Sequence, residues 1–282
     1  MRIKYSLINK LNTLKSTEFT LFLYLAKYQQ LNGLVQGVHN QTVCQETGMC
    51  KQSFYNALRG LEKKNIISVT KASDIDYNVL IIGNDFTAEE AFDKGCEGYI
   101  NLHRAIFHKK QFKQLGAKEK WLVLYFLHCT HENRGSYRIG THKFYEKFCA
   151  ILKVTERMVR DYLHKLRSFF SIGIKNGLYY ITYKRSVFEP MQDEGVEKQE
   201  HEHFIRAMIR RCKIKKADER GVRDVAQLIK QYRNIAKDLG YNIFGVLQQC
   251  ISSSIECARP KDREINARYI HKLVRQKLAL EQ

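Results

Sequence analysis

Lys51, Gln52, Tyr55, Asn56 and Arg59 share one face of a helix-spaced stretch, KQSFYNALRGL, whose opposite face carries Phe54, Leu58 and Leu61. Their chemistry suits nucleic acid. Gln and Asn pair bidentately with adenine edges, Arg pairs with guanine, and Lys meets phosphate. A second stretch, VTERMVRDYLHKLR, sets Glu156, Arg157, Arg160, His164 and Arg167 against apolar Val159, Leu163 and Leu166. Lys71, Lys175 and Lys184 lie in or beside the strand-like segments that follow the two stretches, where they would meet phosphates or a minor groove. A solvated helix face is the plain competitor. Contact is favoured because the pattern occurs twice, with basic flanks.

Other chemistries find less support. HCTH holds His128, Cys129 and His131, with His142 and Cys149 downstream, and zinc accepts all of these ligand types. Cys129, however, sits in an apolar helical run, and no CxxC pair occurs. His201 and His203, in EHEHF, read as solvated residues at the start of a helix. There is no HExxH, no glycine-rich phosphate loop and no GxSxG, so neither an enzyme nor a cofactor or metal is expected.

The elements that must position the two faces also repeat. Gly48 interrupts the apolar periodicity before Phe54, and a glycine tolerates the positive φ of a tight turn between two helices. LFLYLAKYQQLNG (21–33) is echoed by LVLYFLHCTHENRG (122–135), an offset of 101, whereas Phe54 and Val159 differ by 105. That difference predicts a four-residue insertion in a polar loop from Asn133 to Thr141. Each third helix runs into alternating residues: IISVTKASDIDYNVLII, broken at Ala72 to Asp76, and FSIGIKNGLYYITYKR, with Asn176-Gly177 as a type I′ hairpin tip. Three helices followed by a hairpin predict a winged helix, here in tandem. KYSLINKL (4–11) and YINLHRAIF (99–107) would add a leading strand or helix to each copy.

After Lys184 the composition turns acidic around Pro190, which predicts a linker. Four helices follow, one with Val222, Val225, Ile229, Tyr232 and Leu239 on a face and Gly240 as its cap, and with Pro260 separating the last two. The expected fold is mainly α with small β-hairpin wings: winged helices at 1–95 and 96–187, a linker at 188–200, and a basic helical domain at 201–282 that folds apart from them.

The net charge of +19 is unevenly placed. Lys and Arg exceed acids by 2 in residues 1–95 (11 against 9), by 9 in residues 96–195 (18 against 9) and by 8 in residues 196–282 (19 against 11). A polyanionic partner would draw such a surplus by releasing condensed counterions. No apolar run reaches the roughly 20 residues of a membrane span, and MRIKYSLINKL lacks the apolar core of a secretory signal. Cytoplasmic location, at a nucleoid or plasmid, with free cysteines follows as the expectation.

Residues 232–278, YRNIAKDLGYNIFGVLQQCISSSIECARPKDREINARYIHKLVRQKL, resemble the C-terminal helical domain of DnaD-type primosome proteins, with Tyr269 and Ile270 near the start of the last helix. Lys277 stands where that family has an aromatic residue. YINLHRAIFHKKQFKQLGAKEKWLVLYFL (99–127) is similar to the start of the winged helix in plasmid replication initiators of Gram-positive bacteria, which carry one such copy. These resemblances imply a replication initiator of a plasmid, phage or other mobile element that reads double-stranded DNA. Replication or primosome proteins and further copies of the chain are implied as partners, with no membrane. A transcriptional regulator, or a scaffold whose winged helices bind protein, would use the same modules.

Overall fold

The computed structural model describes residues 1–87, 98–103, 106–107, 109–132, 135–188, 195–212, 214, 218–257 and 264–279. Asn133 of the expected insertion, residues 189–194 of the expected linker, and Pro260 lie outside the described residues. The fold is mainly helical with small antiparallel sheets.

The first copy runs β1 (Arg2–Lys4), α1 (Tyr5–Leu11), α2 (Ser16–Tyr28), β2 (Leu34–Val38), α3 (Asn40–Thr47), α4 (Lys51–Lys63), β3 (Ile67–Lys71) and β4 (Tyr77–Ile81). The second runs β5 (Tyr99–Asn101), α5 (Lys110–Lys113), α6 (Ala117–Glu132), β6 (Tyr137–Gly140), α7 (Thr141–Leu152), α8 (Glu156–Leu166), β7 (Phe170–Lys175) and β8 (Leu178–Tyr183), with the short α9 (Arg185–Phe188) after it. Their sheets have the same order, β2-β4-β3 and β6-β8-β7. Strands β2 and β6 were not expected from the sequence. The second occupies part of the 133–141 stretch read as a loop, because four residues containing a glycine carry too little alternation to announce a strand.

Turn chemistry explains the joints. Gly48 has φ +76° between α3 and α4, and Lys153, at the matching place between α7 and α8, is itself left-handed at φ +51°. Asn176 and Gly177 have φ +49° and +71°, and Lys175 pairs with Leu178, which makes the two-residue hairpin expected of Asn-Gly.

Grouped by contact, the chain forms two compact units. One comprises Met1–Leu34, Val43–Ser68 and Leu80–Asp193; the other comprises Val35–Thr42, Val69–Val79 and Glu194–Gln282. In the first unit β1 pairs antiparallel with β5 through Ile3 and Ile100, and α1 and α2 both pack on α6. The Trp121 indole N–H, fully buried, donates to the Ile8 carbonyl at 2.7 Å. Around Phe126, Phe148 and Phe170 stand edge-on at 5.6 Å. Burying each such ring contributes about 1.5–3 kcal/mol.

Helices α2 and α6, the first of each three-helix set, both carry a buried glutamate at the third position. Glu18 accepts from the Lys15 N–H at 2.7 Å and from Lys64 Nζ at 2.5 Å; Glu119 accepts from the Gly116 N–H at 2.6 Å and from Lys165 Nζ at 2.7 Å. The same device thus caps a first helix and ties it to the third-helix region in both copies.

The second unit is built around α10 (Gly195–Arg211), α11 (Glu219–Asp238), α12 (Ile243–Glu256) and α13 (Ala267–Lys277). Asp218, Asn242 and Asn266 cap the last three through side-chain oxygens. Val222, Val225, Ile229 and Tyr232 are buried as expected, but Leu239 is 49% exposed, since α11 ends at Asp238. Gly240, φ +75°, completes that end: its N–H reaches Lys237 O, and the Tyr241 N–H reaches Ala236 O. Helix α10 begins at Gly195, inside the expected linker, so His201 and His203 sit within it and are buried, not solvated at its start.

Candidate nucleic-acid interface

Helix α4 forms because Cys50 and Lys51 follow a glycine turn and Phe54, Ala57, Leu58 and Leu61 supply a buried stripe. That stripe turns Lys51, Gln52, Asn56 and Arg59 to solvent and leaves Tyr55 half-buried, edge-on to Phe54 at 5.1 Å. Gln52 Nε2 donates to Asn56 Oδ1 at 3.0 Å, so the two amides present a joined hydrogen-bonding edge.

In α8 the Thr155 side chain accepts from the Met158 N–H, and Val159, Leu163 and Leu166 are buried. Arg157, His164 and Arg167 are exposed on the other side. Arg160 is exposed but engaged: it pairs with Glu156 at 2.8 Å and lies over the Tyr145 ring at 5.3 Å. The Tyr145 phenol, then the Glu156 carboxylate, raise the pKa of its guanidinium further. Tyr145 in turn shares a 2.5 Å hydroxyl contact with Tyr179 of β8, whose phenol is pushed upward chiefly by burial. Helix α7, helix α8 and the hairpin are therefore connected through two phenols and one arginine. Beside them an open depression of about 390 Å³ is lined by His142, Tyr145, Glu146, Cys149 and Glu156.

The two hairpins differ. Lys175 is exposed at the tip of the second, between Ile174 at 61% exposure and Asn176. Lys71 of the first is exposed too, but is paired at 3.0 Å with Asp74. Lys184 Nζ donates to the Arg167 carbonyl at 2.6 Å, which gives it the job of capping the end of α8.

Of the histidines and cysteines weighed for zinc, His142 and Cys149 line the open depression, whereas the HCTH residues are taken up in packing. The His128 ring lies 4.0 Å from that of Tyr5, Cys129 is buried, and His131 stacks on Tyr183 at 5.7 Å. Among the described residues no group of three or more His, Cys, Asp or Glu could hold a metal ion, and no helix is long and apolar enough to cross a membrane.

Two features escaped sequence reading: the Tyr145–Tyr179–Arg160 connection and a buried Asp76. Each depends on residues brought together only by folding, and no local pattern signals them. Compared with family models, with curated proteins and with solved structures, the chain matches none.

Proposed function

We propose that this chain is a non-enzymatic, sequence-specific double-stranded DNA-binding protein that uses its two copies as tandem winged helices. The observation that carries this reading is the repeat itself. Helix, strand, helix, helix and hairpin recur in one sheet order, and each third helix offers solvent a polar face that includes basic residues. The surplus of 9 positive charges in residues 96–195 (18 Lys and Arg against 9 acids) supports a phosphate-rich partner. Initiation of replication on a mobile element is the preferred role, supported by the likeness of residues 232–278 to primosome helical domains.

Footprinting at a site enriched from random duplexes tests it. Two docked third helices should protect more than one helical turn, about 10 base pairs. Asn56→Ala and Arg157→Ala should each weaken binding at that site by roughly 5- to 150-fold, with smaller losses on unrelated duplex. Protection confined to a single turn, or equal losses on both DNAs, would count against paired base reading.

A further inference from the structure

Among the described residues, the sheet edge and hairpin of the first copy are held by contacts that those of the second do not share. All of the groups concerned belong to the second compact unit. The loop from Ala72 to Asp76 folds around its own acid: the Ala72 and Ser73 N–H groups both donate to the Asp76 carbonyl, and Ser73 Oγ donates to Asp76 Oδ1 at 2.9 Å. The Asp76 side chain is wholly buried. Arg211, in the last turn of α10, places Nε 3.1 and 2.9 Å from its two oxygens and Nη2 2.8 Å from Asn78 Oδ1. Arg210 donates from Nη2 to the Gly37 carbonyl at 3.0 Å. Gly37 lets the helix come this close, since a Cβ there would stand 2.0 Å from that of Ala207.

Charge follows the same division. Residues 67–81 carry Lys71 against Asp74 and Asp76, whereas residues 170–183 carry Lys175 and no acid. A carboxylate repels phosphate and attracts a guanidinium in a forked geometry, so the first hairpin suits arginine and the second suits DNA. We propose that the first hairpin is a protein-docking element, the seat of Arg210 and Arg211 of α10, and that the nucleic-acid wing belongs to the second copy alone. Its DNA half rests on the function proposed above. The first copy then meets DNA with α4 only.

Two measurements on the full chain test it separately. Hydrogen exchange reads the seat: in Asp76→Asn, and likewise in Arg211→Gln, amides of 72–78 and 205–212 should speed up together by about tenfold or more, with β7 and β8 unchanged. Duplex binding reads the hairpins: Lys175→Glu should cost about tenfold or more at an enriched site and Lys71→Glu under about twofold. Equal losses from the two lysine variants would overturn the proposal, as would exchange that shows no paired rise confined to those segments in either variant. If no duplex is preferred over another, the DNA reading fails while exchange still decides the seat.

Discussion

Arg160 shows how one side chain can be both a candidate reader and part of the scaffold. Its pair with Glu156 is exposed and one helical turn long, a geometry that holds weakly in water. A bidentate contact to guanine is stronger, so DNA can draw the arginine away from its partner, while the Tyr145 ring keeps it aimed. Arg160→Ala should therefore lower affinity for an enriched site by roughly 5- to 150-fold and for unrelated duplex much less. Tyr145→Phe keeps the ring and loses only the phenol, so its cost should be under about fivefold by the same measure. Titration of both variants on the two DNAs checks this, and equal losses on both would make Arg160 a phosphate contact. The chemistry of this face was legible from periodicity alone. Its attachment to Tyr179 was not, because the 34 residues that separate Tyr145 from Tyr179 span two helices and a hairpin.

At the scale of elements, the joints were the legible part. Gly48, Asn176-Gly177 and Gly240 sit where the backbone takes positive φ, and each announces itself by residue type. Lys153 announces nothing, yet it takes the left-handed place that Gly48 fills in the first copy. A lysine there pays for the conformation with a Cβ clash, so Lys153→Gly should raise stability by about 0.5–1 kcal/mol despite glycine's greater freedom when unfolded. The opposite sign is expected for Glu119→Gln. It removes the charge from a buried acid that both caps α6 and holds Lys165, and should cost about 1–2 kcal/mol. Denaturant midpoints of the two variants give both signs in one experiment. Strands β2 and β6 were missed for a common reason. Short segments are fixed by the partners they pair with, and those partners are distant in sequence.

For the whole molecule, the division into units follows contacts that cross the sequence boundaries. Val35–Thr42 and Val69–Val79 belong with Glu194–Gln282, and Arg211 is 135 residues from the Asp76 it satisfies. Cutting the chain after residue 195 would leave that buried carboxylate without its cation, so DNA readout is best measured on the intact protein. The most direct measurement is selection from random duplexes by the purified full chain, followed by affinities for the enriched and a scrambled sequence at two salt concentrations. Both affinities should fall as salt rises, while their ratio stays at about a thousandfold or more. No enriched sequence, or a ratio near one at both salt concentrations, would contradict sequence-specific binding.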